Sequence, residues 1–175
     1  MPKRSLSILA LCLMAAVLAS GGVEAAASLD PEPVEIQIPR VEAEVNIDGN
    51  LNEAAWAQAR RVVIPRALLE PSLATANDVS GEARMFWNEK GLYVGFKVND
   101  RKLMLAKEDD SLREYDSVQL WFDRLWIQVG LASGGGSRLS VTNLGKYVPF
   151  IDTWPEAAAH RISNGYTAEV FVPNR

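Results

Sequence analysis

Cysteine and histidine are almost absent from this chain. Its 175 residues include one cysteine, Cys12, and one histidine, His160. A lone cysteine forms no disulfide within the chain, so the fold must depend on its core. The same scarcity excludes His-rich zinc sites and Cys-His nucleophiles, and no Gly-x-Ser-x-Gly elbow accompanies His160. We therefore expect no enzyme and no catalytic residues, with His160 in a loop or at a helix end.

Long hydrophobic runs are also lacking, apart from one at the N-terminus. Lys3 and Arg4 precede an apolar run over residues 6–18, and small residues follow it. This order is typical of a secretory signal peptide, and the run is short for a membrane span. We predict a signal peptide over residues 1–27, with an uncleaved anchor as the alternative. The protein is then secreted, periplasmic or on the cell surface, with no membrane attachment after cleavage.

Excess positive charge is the third thing that the sequence lacks. The formal net charge is −4, and the chain carries 18 basic against 22 acidic side chains. Nucleic-acid partners recruit basic surfaces, so we expect no nucleic-acid binding. A neutral polymer such as a polysaccharide remains compatible with this composition.

Short alternating segments separated by turns fill the rest of the chain and predict an all-β protein. We expect a tether and edge strand over residues 28–40, with the strand at Val34–Ile38, and one domain over residues 41–175. Leu51 to Arg61 has helical spacing, which predicts one short helix with Trp56 in the core and Asn50 or Asn52 as its cap. The expected fold is a β-sandwich of mostly antiparallel strands with one short N-terminal helix.

The later segments follow the same rules. A hairpin is predicted around the turn at Asn88–Gly91, and a second around Ser133–Ser137. The segment Glu156–Ala159 is expected to be irregular or briefly helical. The last strand is predicted at Tyr166–Val172, with its apolar residues on one face.

Two neighbouring strands place tryptophan on the face opposite the core. Because Val118, Leu120 and Phe122 alternate, Gln119 and Trp121 must point the other way. By the same alternation Trp126 and Gln128 point outward from the next strand. Aromatic planes stack on the C–H face of a sugar ring, and amides bond its hydroxyls. The alternative is that these tryptophans pack under a loop or a neighbouring segment.

Acidic residues cluster before these strands, at residues 108–110, with Glu114, Asp116 and Asp100 nearby. Carboxylate oxygens are the ligands that calcium prefers, but the spacing is not that of an EF-hand. We predict no defined metal site, with a solvated acidic loop favoured over a structural calcium.

Several segments together resemble the family 9 carbohydrate-binding module. The resemblance rests on Ile47-Asp48-Gly49 with Trp56, on Leu92-Tyr93-Val94 with Asp100, on Asp116-Ser117-Val118 with Asp123, and on Gly165 to Pro173. It implies a β-sandwich that binds poly- or oligosaccharide without catalysis and that is associated with carbohydrate catabolism, often beside a glycoside hydrolase domain.

The resemblance also implies where a sugar would bind. Members that bind sugar carry an aromatic residue three positions before the Asp of Asp-Ser-Val, where this chain has Arg113, and a polar contact at the position of Gln119. We predict ligand-binding residues at Trp121, Trp126, Tyr115, Arg113 and Gln119. Family modules usually add strands after the last segment, so we expect the chain to lack a C-terminal portion or a fused enzyme domain. The alternative is an interaction or structural module of a larger cell-surface or outer-membrane protein.

Overall fold

The computed structural model describes residues 35–64, 79–122, 124–143 and 154–174. The predicted signal peptide lies outside these residues. The chain divides into two units between Gln37 and Ile38, and residues 35–37, the described part of the first, have no regular secondary structure. In the described part of the chain, no helix is long and apolar enough to cross a membrane.

Among the described residues of the second unit, eight strands form two antiparallel sheets. They are β1 (Arg60–Ile64), β2 (Val79–Trp87), β3 (Gly91–Asp100), β4 (Ser117–Phe122), β5 (Leu125–Leu131), β6 (Ser137–Asn143), β7 (Glu156–Ile162) and β8 (Gly165–Pro173). One sheet has the order β1-β2-β3-β8-β7, and the other has the order β4-β5-β6. The predicted all-β sandwich is confirmed.

The main core lies between the two sheets. Alternate residues of β3 and β8, such as Val94, Phe96 and Val170, pack with Ile127 and Val129 of β5. Val170 was expected on the apolar face of the last strand, and that position is confirmed. Each sheet also has an outer face, on the side away from this core. The outer faces of the two sheets differ in what covers them.

The larger sheet is covered on its outer face by the segment over residues 41–59. Trp56, Phe86 and Tyr93 form a second apolar cluster there, with Phe86 stacked on Tyr93 at a centroid separation of 4.7 Å. Trp56 is 2% exposed, so its predicted core position is confirmed. The outer face of the smaller sheet instead carries the candidate site.

Three predicted details of the N-terminal segment differ from the structure. The helix spans only Ala55–Gln58, because Arg60 already pairs with Met85 at the start of β1. Its N-cap is Ala54, which makes no side-chain hydrogen bond, so neither predicted asparagine caps it. Of the predicted edge strand Val34–Ile38, the described residues 35–38 are in no strand.

The alanine-rich segment is also not helical. Glu156–Ile162 forms β7, and Ala159 pairs with Ala168 of β8. Helix propensity is weak, and pairing with a neighbouring strand overrides it here. His160 therefore lies in a strand, with an exposed side chain, and not in a loop or at a helix end.

Candidate functional site

The outer face of the β4-β5-β6 sheet carries the two predicted tryptophans as direct cross-strand partners. Trp121 pairs with Trp126, and Gln119 pairs with Gln128 two positions away. Antiparallel partners point to the same face, so these four side chains form one patch. The alternation in the sequence predicted this arrangement, and the register brings it about.

The tryptophan rings stack on each other. Their centroids are 4.9 Å apart and their planes differ by 13°. One face of each ring is thereby occupied by the other, and no sugar ring fits between them. Trp121 is 50% exposed and Trp126 is half-buried. Trp121 thus presents the larger free aromatic surface, and Trp126 supports it.

The indole of Trp126 also orients the amide of Gln119. Its Nε1–H donates to Gln119 Oε1 at 3.2 Å. Because an indole N–H can only donate, the amide oxygen must face it, which leaves the NH₂ group of Gln119 for another partner. The patch therefore combines an aromatic plane with a positioned donor.

Gln128 lies deeper in the same patch. It is 4% exposed, and among the described residues no acceptor lies within hydrogen-bonding distance of its Nε2. An unpaired buried donor costs about 1–3 kcal/mol. Gln128 was identified from the sequence as an outward polar residue, but its burial depends on the tertiary structure.

Arg113 and Tyr115 lie at the other end of this sheet. Arg113 is in a single 3-10 turn, Leu112–Glu114, whose Leu112 packs over Gly130, and Gly130 pairs with Ser117. Four residues of strand, or roughly 13 Å, separate Ser117 from Trp121. In the described structure, no hydrogen bond or ion pair links Arg113 or Tyr115 to the tryptophans.

The neighbouring carboxylate of Asp110 is the first cause that raises the pKa of Tyr115. The pKa of Asp110 is lowered, first by the backbone N–H of Lys107 and then by Tyr115. Asp110 thus accepts a hydrogen bond from within its own loop. Tyr115 holds that loop and does not extend the aromatic patch.

Two further acidic residues, Asp100 and Asp116, also accept hydrogen bonds from backbone N–H groups nearby. Asp100 Oδ1 accepts from the N–H of Lys102 at 2.7 Å, and Asp116 accepts from the N–H of Met104. Burial raises the pKa of Asp116, and the charge of Asp100 adds to this effect. Within the described ranges, no three His, Cys, Asp or Glu side chains gather as metal ligands.

Known proteins resemble this chain in sequence and in fold. Residues 47–125 match the model of the family described as "Carbohydrate family 9 binding domain-like". Among curated protein sequences, none matches the chain. The family match covers the first three of the four segments on which the predicted resemblance rests, as far as Leu125.

Two solved structures of a family 9 carbohydrate-binding module from Caldicellulosiruptor kristjanssonii have a similar fold. The one in complex with cellotriose is 18% identical, with a TM-score of 0.50, and the match covers 75% of this chain and 64% of that one. The one in complex with glucose is 17% identical, with a TM-score of 0.52, and the match covers 79% and 68%. This chain thus spans about two thirds of their length. The predicted resemblance is confirmed: residues 47–125 match the carbohydrate family 9 binding domain-like family, and the sandwich has the fold of its solved modules.

Proposed function

We propose that this chain is an exported, non-catalytic module that binds poly- or oligosaccharide on the outer face of its β4-β5-β6 sheet. The observation that carries the proposal is the half-exposed ring of Trp121, stacked on Trp126 beside two glutamine amides. Similar modules have been solved with cellotriose and with glucose, which favours a glucan as the first ligand to test.

The patch meets a sugar in two ways. The free face of Trp121 stacks on the C–H surface of one sugar ring, because an aromatic plane packs well against apolar surface. The NH₂ group of Gln119, left free by its bond to Trp126, donates to a ring hydroxyl.

One aromatic plane recognises a sugar differently from two opposed planes. Because the two tryptophans stack on each other, the ligand lies on the patch and is not clamped between rings. Such a surface places no limit on chain length in either direction. We therefore propose binding within oligosaccharide chains, with affinity rising from glucose to cellotriose.

Arg113 and Tyr115 have a secondary place in this proposal. Arg113 is exposed at the end of the sheet remote from Trp121, so it can contact only a ligand that extends along β4. Tyr115 positions the loop through Asp110. We propose the protein acts in the breakdown of carbohydrate outside the cytoplasm, as the N-terminal pattern and the family resemblance together favour.

Titration calorimetry with cellotriose tests the proposal. Trp121→Ala is expected to weaken binding at least about 10-fold, because it removes the stacking plane. Trp154→Ala is the matched control, since Trp154 is 59% exposed outside the patch and its removal should leave affinity unchanged. Equal binding by wild type and Trp121→Ala, or no heat with cellotriose or any other oligosaccharide, contradicts the proposal. Release of reducing ends by the purified chain contradicts its non-catalytic part.

A further inference from the structure

A second concave surface lies on the opposite side of the molecule, on the outer face of the larger sheet. It is a cleft of about 320 Å³, near the lower end of the range for small-molecule sites. Its lining comes from five places in the chain: Asn50, Leu51, Asn52, Glu82, Arg84, Lys97, Ile162 and Thr167. None of these residues belongs to the tryptophan patch.

Residues that are paired across three neighbouring strands form the floor of the cleft. Glu82, Lys97 and Thr167 are direct neighbours across β2, β3 and β8. They point to the outer face, since their strand neighbours Ala83, Phe96 and Ala168 face the main core. A carboxylate, an ammonium group and a hydroxyl therefore lie side by side on a rigid sheet.

The wall is the turn after Gly49, and it is firmly held. Thr167 Oγ1 donates to Gly49 O at 2.6 Å, and the N–H of Gly49 donates to the buried carboxylate of Glu169 at 2.8 Å. Asn50 and Asn52 follow directly, so their amides are carried on a fixed backbone. A site whose polar groups are positioned in advance loses less entropy on binding.

The charge of the cleft is opposite to that of the chain. The charged residues that line the cleft are two cations, Arg84 and Lys97, and one carboxylate, Glu82, in a chain of net charge −4. Glu82 accepts from Arg61 and Arg84, and these bonds lower its pKa despite the opposing effect of burial. In the part of the chain that the structure describes, Lys97 forms no ion pair. Its ammonium group is thus available to an anion.

Arg84 keeps one further donor. Its Nε and Nη2 both donate to Glu82 Oε1, at 3.0 and 2.8 Å, which leaves Nη1 unengaged among the described residues. The cleft thus offers two cationic donors, two amides and a hydroxyl oxygen around the apolar side chains of Leu51 and Ile162. Cations fit a carboxylate, amides fit hydroxyls, and the apolar pair fits a C–H face.

We propose that this cleft is a second binding site, which takes a carboxylate-bearing sugar ring. The carboxylate lies against Lys97 and Arg84, and the amides of Asn50 and Asn52 bond the ring hydroxyls. Among the described residues no aromatic plane lines the cleft, so the site selects for charge where the tryptophan patch selects for neutral sugar. The ring comes either as a free sugar acid or as an acidic residue of a polysaccharide.

Backbone amide NMR of the labelled chain tests this site with D-glucuronate, D-glucose and inorganic phosphate as probes. Glucuronate is expected to give saturable shifts at Asn50, Leu51 and Lys97, with glucose and phosphate at least about 10-fold weaker. A xylo-oligosaccharide with a glucuronate branch identifies the source: tighter binding than the free acid assigns a polysaccharide, and weaker binding assigns the free acid. Equal binding of glucose or phosphate, or no saturable shift at these residues, overturns the proposal.

Matched variants separate the cleft from general charge effects. Lys97→Met is expected to weaken glucuronate binding at least about 10-fold, and Asn52→Ala, at an exposed position, several-fold. Lys102→Met removes an exposed lysine just after β3 that does not line the cleft, and it should bind like wild type. Wild-type affinity in both Lys97→Met and Asn52→Ala overturns the proposal.

Trp121→Ala separates this site from the proposed glucan surface. It should keep the glucuronate shifts at Asn50 while losing cellotriose. If it loses both, the acid binds at the tryptophan patch and the cleft proposal is overturned. If cellotriose fails with every protein and glucuronate still shifts Asn50, the cleft stands and the glucan proposal fails.

Discussion

At the scale of single residues, Glu169 is the most consequential group in the fold. Its side chain is fully buried, and its carboxylate accepts from the N–H groups of Asp48 and Gly49 and from the indole of Trp56. These donors come from residues more than 110 positions away in the chain. One carboxylate therefore fixes the Ile-Asp-Gly turn and the helix to β8.

Burial raises the pKa of Glu169 to about 7, although the three N–H donors act in the opposite direction; the nearby Glu53 carboxylate adds to the increase. In the unfolded chain its pKa returns to the ordinary 4.5. Between these values the folded protein holds a proton that the unfolded chain has released. Folding is therefore favoured by acid, and the contribution of Glu169 to stability falls as pH rises from about 4.5 to about 7.

Denaturant unfolding across this pH window checks the prediction. Relative to Glu169→Gln, the wild type should lose up to about 3 kcal/mol of unfolding free energy between pH 4.5 and 7.5. The variant should be less stable at pH 5, because its NH₂ group faces a donor. A wild-type pH dependence identical to that of Glu169→Gln would show that Glu169 does not titrate in this window.

At the scale of elements, the one-turn helix Ala55–Gln58 depends on β3. Four residues are too few for a stable helix alone, so tertiary packing must hold them. Trp56 lies directly over Gly95, where a Cβ atom would come within 2.5 Å of Leu51 and 3.0 Å of the indole ring. The missing side chain of Gly95 thus makes room for the helix.

Gly95→Ala is expected to lower the unfolding free energy by about 1–3 kcal/mol, because it forces Leu51 and Trp56 outward. Gly134→Ala is the matched control, since no atom lies within 4 Å of its added methyl group. Thermal unfolding by circular dichroism measures both. Equal stability of the two variants would mean that the segment over residues 41–59 contributes little to the fold.

At the scale of the whole molecule, stability depends on the two apolar clusters on either side of the larger sheet. Cys12 is the single cysteine, so no disulfide within the chain contributes. We expect the same unfolding midpoint with and without reductant, measured on the monomeric protein. A midpoint lowered by reductant would contradict this expectation.

The sequence by itself determined the strand faces, the core position of Trp56 and the outward tryptophans. These follow from alternation with period two, which each strand carries independently of its partners. It also predicted the all-β class and the family resemblance, because the four segments that carry the resemblance occur in the same order along the chain. Its errors, a helix extended to Arg61 and the irregular or helical Glu156–Ala159, arose where strand pairing overrode local propensity.

The tertiary structure alone decided which side chains meet. The stacking of Trp121 on Trp126, the distance of Arg113 from both, and the gathering of Asn50, Lys97 and Thr167 around one cleft depend on register and on contacts between distant segments. The buried Glu169 is the clearest case, since in the sequence it is one acidic residue in an alternating strand. Local pattern specifies the face of a residue, whereas its partners are specified by how the sheets pair and pack.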